Sequence, residues 1–88
     1  MVEKNVVVKN RAGIHARPAA SIVKLANKFK SDIKIKKEND EINAKSIMGI
    51  ITLAATFQTE LKVIADGEDE AAAVEALYNL FENKFEEE

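Results

Sequence analysis

Residues 13–29 read GIHARPAASIVKLANKF, and this stretch decides the predicted fold. Apolar side chains recur along it at the spacing of one helical face: Ala19, Ile22, Val23, Ala26 and Phe29. Pro18 is compatible only with the first turn of such a helix, where its missing N–H group costs no hydrogen bond. The pattern therefore predicts a helix that begins just after His15, at the end of a loop.

Four short segments on either side of this helix alternate apolar with polar residues, which predicts strands. Their apolar members are Val6 and Val8; Ile33 and Ile35; Ile42 and Ala44; and Leu61, Val63 and Ala65. Two more helices are predicted, one capped by Ser46 and one after Gly67. The first is expected to present Ile47, Ile50, Ile51 and Ala54 as its apolar face, and the second to bury Ala73, Val74, Leu77, Leu80, Phe81 and Phe85.

The predicted order of elements is βαββαβα. Split β-α-β units of this order give an antiparallel sheet with helices packed on one face and solvent on the other. We therefore expect an α+β fold with four antiparallel strands and three helices. The 88 residues are enough for one core and one domain, residues 1–88.

The charges are segregated along the chain. Residues 1–37 hold ten basic and two acidic side chains, and residues 38–88 hold three basic and thirteen acidic ones, for a net charge of −2. Such asymmetry indicates a basic face that meets an acidic partner or nucleic acid.

Composition excludes several classes of site. The chain has no cysteine and one histidine, so we expect no disulfide, no metal site and no cofactor. No apolar run approaches the roughly 18 residues that cross a bilayer, and the first residues lack the pattern of a signal peptide. A cytoplasmic protein without membrane insertion is expected.

The one histidine, His15, stands between a loop glycine, Gly13, and the predicted start of the first helix. Backbone N–H groups and the dipole at a helix N-terminus favour an anion by about 0.3–2 kcal/mol, and Arg17 adds a guanidinium suited to phosphate oxygens. Energies this small would stabilise a phosphohistidine and still allow the phosphoryl group to be transferred. We predict that His15 carries a phosphoryl group; the alternative is a solvated loop histidine beside a helix cap.

Two further surfaces accompany this site. The polar side of the first helix is either a solvated face or a docking surface for an acidic partner. Its residues are Arg17, Ser21, Lys24 and Lys28. Residues 45–50 read KSIMGI. Ser46 is predicted to cap the second helix, a position that would also accept the charge of about −1.5 to −2 that phosphorylation adds.

Residues 13–19 and 45–50, at their separation, resemble the two signatures of the HPr family. These are the histidine-containing phosphocarrier proteins of the bacterial phosphoenolpyruvate-dependent sugar phosphotransferase system. The resemblance extends from Val6 to the last helix. It implies an open-faced β-sandwich, a carrier that is not itself an enzyme, and a monomer.

The resemblance also implies roles for individual residues. His15 would be phosphorylated at Nδ1 by phospho-enzyme I and would pass the group to sugar-specific IIA components, with Arg17 stabilising it. Ser46 would be the target of HPr kinase/phosphorylase. Phosphorylation of Ser46 would hinder transfer to His15 and promote binding to a catabolite control protein. The residues expected to contact partners are Lys24, Lys28, Lys45, Ile47 and Met48.

The chain departs from the family pattern after the second helix. Gln58 stands where the family commonly has glycine, and a positive φ would cost a non-glycine residue about 1 kcal/mol there. We therefore expect a rebuilt turn. Phe57, expected to be exposed beside it, has no assigned role.

Two rival functions stay open from the sequence. The first is an HPr-like co-regulator that acts mainly through Ser46 and has little part in sugar transport; retention of His15 favours transfer. The second is a module that binds single-stranded RNA, but such sheets stack bases on exposed aromatic rings and these strands contain none.

Overall fold

The computed structural model, which describes residues 1–86, has the predicted order of strands and helices. The elements are β1 (Val2–Val7), α1 (Ala16–Ala26), β2 (Asp32–Lys37), β3 (Asp40–Asn43), α2 (Ile47–Thr52), β4 (Glu60–Asp66) and α3 (Glu70–Glu82). A single turn, Lys84–Glu86, follows α3. The prediction of an α+β fold with a four-stranded antiparallel sheet and three helices is confirmed.

The sheet has the strand order β1-β4-β2-β3, and every neighbouring pair is antiparallel. The first strand therefore pairs with the last, with Val2 opposite Ala65 and Val7 opposite Glu60. Side chains alternate across the pleat, so one face of each strand is buried. The buried face consists of Val6, Ile33, Ile35, Leu61, Val63 and Ala65.

Helices α1 and α3 cover this face along apolar stripes close to those predicted. In α1 the buried residues are Pro18, Ala19, Ile22 and Ala26, and Val23 is half-buried. Phe29, predicted on the same stripe, is half-buried just beyond the end of the helix. In α3 they are Ala73, Val74, Leu77 and Phe81. Phe85 in the last turn packs edge-on against Phe81, with ring centroids 4.8 Å apart. Each large apolar side chain buried in this way stabilises the fold by about 1.5–3 kcal/mol.

Three of the four residues on the predicted apolar face of α2 lie outside the core. Only Ile50 is buried; Ile47 and Ile51 are each 40% exposed, and Ala54 lies beyond the helix end with a φ of 52°. A six-residue helix has fewer than two turns, so only a narrow stripe of it can face the core. Leu53 and Ala55, which follow the helix, fill the core instead.

Asp69 ties the start of α3 to the connection between α1 and β2. Its side chain makes no cap for α3; the carboxylate accepts hydrogen bonds from the Ser31 hydroxyl and from the N–H groups of Lys30 (2.8 Å) and Ser31 (2.9 Å). The Ser31 hydroxyl and the Lys30 N–H are the main reasons that the pKa of Asp69 falls from 3.8 to about 2.

We expect Asp69→Asn to be less stable than the parent protein at neutral pH and to approach it in acid. Because the folded pKa is depressed, the contribution of the carboxylate is fully present above about pH 4 and is lost as the pH falls through about 2. Urea unfolding of both proteins across this range measures the difference. Glu68→Gln, at the neighbouring exposed carboxylate, is the matched control. A gap that stays constant down to about pH 2 would contradict this assignment.

Candidate functional site

A tight turn before α1 lies directly against the loop that follows α2. The Gly13 N–H donates to the Asn10 carbonyl (3.1 Å), and the buried Asn10 amide donates to the Gly13 carbonyl (2.7 Å). Gly13 has a φ of 75°, and a Cβ there would lie 2.9 Å from the Ala55 carbonyl oxygen. Both the backbone conformation and the close approach require glycine.

Ile14 fastens this turn to the core. Its N–H donates to the Ala55 carbonyl at 3.0 Å and its side chain is buried. Extended backbone then carries the chain outward, so that His15 is exposed and occupies the N-cap position of α1. The His15 carbonyl accepts the first helical hydrogen bond, from the Ala19 N–H at 3.0 Å. The imidazole therefore projects from a rigid backbone at a helix start.

The first turn of α1 is electropositive. Helix geometry leaves the N–H groups of Ala16 and Arg17 without intrahelical acceptors, and no acidic residue lies in this turn. Pro18, the third helical residue, has no N–H to satisfy. The Arg17 side chain is exposed and has no hydrogen bond or ion pair within residues 1–86. An anion bonded to His15 would thus meet amide donors and a free guanidinium.

Three cations lie along α1 and just beyond its end. Lys24 and Lys28, like Arg17, are exposed and have no ionic partner among the described residues. Three other lysines are paired with carboxylates: Lys4 with Glu75 (3.2 Å), Lys9 with Glu82 (2.7 Å) and Lys62 with Glu3 (3.3 Å). The face of α1 therefore keeps an uncompensated positive charge.

Ser46 caps α2 as predicted. Its hydroxyl oxygen accepts a hydrogen bond from the Gly49 N–H at 3.2 Å, and its own N–H donates to the Asn43 carbonyl at 3.0 Å. The side chain is half-buried, at the N-terminal end of a helix that packs against α1 and β3. The structure thus joins the Ser46 and His15 segments through the contact between α1 and α2.

The Lys45 side chain contacts the backbone that follows α1. Its ammonium is half-buried and donates to the Phe29 carbonyl at 2.9 Å, just beyond the end of α1. Lys37 makes the same kind of bond to the Leu53 carbonyl after α2, also at 2.9 Å. Cations are favourable at helix C-termini. Three lysines were expected to contact partners. Lys24 and Lys28 make no ion pair among the described residues, whereas the Lys45 ammonium is already hydrogen-bonded to the Phe29 carbonyl.

Exposed large apolar side chains cluster on and after α2. Apart from Met1, all of those within residues 1–86 lie here: Ile47 (40% exposed), Met48 (66%), Ile51 (40%) and Phe57 (44%). We call Ile47, Met48 and Ile51 the apolar patch. Ile47 and Met48 were predicted to contact partners, whereas Ile51 was predicted only as part of the apolar face of the helix. The shortness of the helix was the signal that could have placed Ile51 outside.

The turn after α2 is strained and is not rebuilt, so that expectation is wrong. Gln58 itself adopts a φ of 71°, and Ala54 adopts 52°. Each costs about 1 kcal/mol relative to an ordinary conformation. The Gln58 N–H donates to the Val8 carbonyl at 2.7 Å, and the Val8 N–H donates to the Thr59 carbonyl at 2.9 Å. These bonds to the end of β1 hold the strained conformation.

The open face of the sheet offers little chemistry by comparison. A cavity of about 220 Å³ is lined there by Asn5, Lys36, Glu38, Glu60, Leu61 and Lys62. Residues 1–86 contain no group of three or more His, Cys, Asp or Glu side chains placed to hold a metal ion. Over the same residues, none of the helices has the length and apolar character needed to cross a membrane.

Residues 2–83 match the protein family described as the PTS HPr component phosphorylation site. The phosphocarrier protein HPr of Treponema pallidum is 52% identical over 88 residues, covering 100% of this chain and 100% of that protein. The crystal structure of HPr-C-His from Thermoanaerobacter tengcongensis has a TM-score of 0.96 and 48% identity, and the match covers 100% of this chain and 99% of the other.

A second kind of relative is a protein named for catabolite repression. Bacillus subtilis Crh, whose crystal structure is described as a dimer with a swapping domain, matches with a TM-score of 0.77 at 44% identity. The match covers 96% of this chain and 97% of that one. Similarity at this level spans β1 to α3, and so includes both the His15 and the Ser46 segments.

We expect Gly13→Ala to lower the free energy of unfolding by about 2 kcal/mol or more. A positive φ costs an L-residue about 1 kcal/mol, and the contact with the Ala55 carbonyl adds an overpacking cost of about 1–3 kcal/mol. Urea unfolding provides the measurement. Ala12→Gly, at an exposed position in the same turn, should change stability by less than about 1 kcal/mol. Equal stability of Gly13→Ala and the parent protein would refute the close packing of these loops.

Proposed function

The chain belongs to the HPr family of phosphocarrier proteins, and we propose that it relays phosphoryl groups in the sugar phosphotransferase system. His15 accepts the group from phospho-enzyme I and passes it to sugar-specific IIA components in the cytoplasm. The observation that carries the proposal is the exposed imidazole at the N-cap of α1, with Arg17 in the first turn of the same helix.

The transfer needs little from the protein beyond position and charge. The lone pair on Nδ1 of neutral His15 attacks phosphorus, and the bond between phosphorus and the donor breaks, its electron pair leaving with the donor. Positioning and electrostatic stabilisation dominate such reactions. The amides of Ala16 and Arg17 and the guanidinium of Arg17 stabilise the phosphoryl charge, while solvent exposure keeps the adduct accessible to the next acceptor.

Docking uses the surfaces on either side of His15. The free cations Arg17, Lys24 and Lys28 attract an acidic partner and speed its encounter, and the apolar patch supplies contact area once the partner has docked. Lys45 contributes by holding the end of α1 against the Ser46 segment. The carrier works as a monomer, so that this face stays open to each partner in turn.

We expect His15→Ala to abolish labelling from phosphoenolpyruvate and enzyme I while leaving the fold intact, because the side chain is exposed. Arg17→Glu should slow transfer about tenfold or more, since it replaces a stabilising charge with a repelling one. Rapid-quench kinetics and mass spectrometry under alkaline conditions, where phosphoramidates survive, measure both effects.

Lys34→Glu is the matched control for Arg17→Glu, because it makes the same charge change at an exposed position of β2. It should alter the rate by less than about twofold. Labelling that persists in His15→Ala would move the acceptor elsewhere, and equal rates for the two charge reversals would remove Arg17 from the site.

Ser46 regulates docking in this proposal. A phosphate added to Ser46 by HPr kinase/phosphorylase would sit at the N-terminus of α2, where the helix dipole stabilises it. It would also place about two negative charges beside the apolar patch and near the cations of α1. A partner with an acidic surface would then be repelled, while a catabolite control protein with basic side chains would be favoured.

We expect Ser46→Asp to weaken association with enzyme I by about tenfold at low salt, and by less at high salt because the repulsion is screened. Isothermal titration calorimetry at two ionic strengths tests this. Ser46→Asn is the matched control, since asparagine is an equally good helix cap without the charge. If the aspartate and asparagine variants bind enzyme I equally well, charge at this position has no regulatory role.

The alternative is a carrier that acts mainly as a co-regulator, and the similarity to Crh is the observation that favours it. Such a protein would be labelled on Ser46 from ATP and the kinase but not on His15 from phosphoenolpyruvate. The exposed His15 with its electropositive helix start supports transfer. Binding of single-stranded RNA has no comparable support, because no strand of the sheet carries an aromatic side chain.

A further inference from the structure

Phe57 is an exposed aromatic ring that neither the fold nor the proposed chemistry explains. The ring is 44% exposed, although the other four aromatic side chains are buried or half-buried. Full burial of such a ring is worth about 1.5–3 kcal/mol relative to full exposure, and a ring that is 44% exposed forgoes part of this energy. The ring is therefore available to a partner that covers it.

The backbone that carries the ring is fixed on both sides. Ala54 and Gln58 both hold positive φ angles, and the Thr59 N–H donates to the Thr56 carbonyl at 3.0 Å. The Thr56 N–H donates to the Thr59 hydroxyl at 3.1 Å. Strained residues of this kind concentrate at binding and catalytic sites. A ring on a rigid turn loses little conformational entropy when a partner binds it.

The turn lies beside the proposed phosphoryl site. A Cβ on Gly13 would lie 3.2 Å from the Thr56 Cα, and Ile14 donates to the Ala55 carbonyl. With consecutive Cα atoms 3.8 Å apart, these contacts limit the Cα atoms of His15 and Phe57 to a separation of about 16 Å. A standard interface covers about 800 Å² on each protein and is about 30 Å across. A partner centred on His15 therefore reaches the turn.

We infer that Phe57 is an anchor residue for the proteins that exchange phosphoryl groups with His15. Those partners present an apolar pocket bordered by carboxylates, because the surface around His15 combines exposed apolar side chains with Arg17, Lys24 and Lys28, which have no ionic partner among the described residues. The ring inserts into the pocket, and the cations pair with the carboxylates at the edge of the pocket. This inference rests on the function proposed above and adds a residue that sets partner affinity.

The test is steady-state phosphorylation by phosphoenolpyruvate and enzyme I of the same organism, with the carrier as the varied substrate. Phe57→Ala should raise KM about tenfold and leave kcat unchanged, since truncating an anchor removes binding and leaves the reacting atoms in place. Phe57→Leu should raise KM less, because it keeps an apolar side chain. The KM ratio of Phe57→Ala to the parent protein should persist at high salt, because the lost contact is apolar.

Gln58→Asn is the matched control, because asparagine tolerates the positive φ and leaves the ring in place. Its KM should equal that of the parent protein. Parent-like KM values for both Phe57 variants, in a protein that is phosphorylated on His15, would overturn the inference and leave the proposed function standing. Failure of the parent protein to be phosphorylated would instead refute the proposed function. Sedimentation in which the parent protein dimerises and Phe57→Ala does not would assign the ring to a second copy of this chain and overturn the inference.

Discussion

The contact between the Gly13 turn and the Ala55 carbonyl is the constraint on which the functional surface depends. One carbonyl accepts the N–H of Ile14 and lies where any side chain on residue 13 would stand. It joins the loop before α1 to the loop after α2, two segments about forty residues apart in sequence. The exposed imidazole, the cation-bearing helix and the apolar patch therefore belong to one rigid surface.

Several lysines make contacts within the fold, whereas the cations along α1 make none among the described residues. Lysines at β1 and β4 are neutralised by carboxylates of α3 and of β1 itself, and Lys37 and Lys45 hold carbonyls that follow the two shorter helices. Arg17, Lys24 and Lys28 have no ionic partner within residues 1–86. Exposed ion pairs are worth at most about 1 kcal/mol, so leaving three cations unpaired costs the fold little. A partner that binds and leaves repeatedly needs such long-range, salt-sensitive attraction more than tight burial.

Much of the fold and part of the site could be predicted because local physical signals agreed with the final structure. Alternation marked the four strands, Pro18 and the helical spacing after His15 marked the start of α1, and Ser46 marked the start of α2. Gly13 was visible as a loop residue, but its packing against Ala55 depends on a partner far along the chain. Such contacts leave no local pattern.

The errors have a common cause. The face of α2 was judged by spacing alone, although a helix of six residues has room for only one buried side chain, Ile50. The turn at Gln58 was expected to change because its own conformation is costly. In the structure, hydrogen bonds to Val8 at the end of β1 outweigh that cost. In both cases tertiary surroundings overrode a local preference.

The pairing of β1 with β4 also determines when the surface around His15 can form during synthesis of the chain. Val7 lies opposite Glu60, so the first strand has no neighbour in the sheet until more than fifty further residues have left the ribosome. At roughly 5–20 residues per second this delay lasts several seconds. Throughout that interval Ala55 is either not yet synthesised or not yet packed against the Gly13 turn, so the backbone around His15 is not held in place. The surface around His15 is thus complete only in nearly finished polypeptides, so phosphoryl transfer of the kind proposed here would also be confined to them.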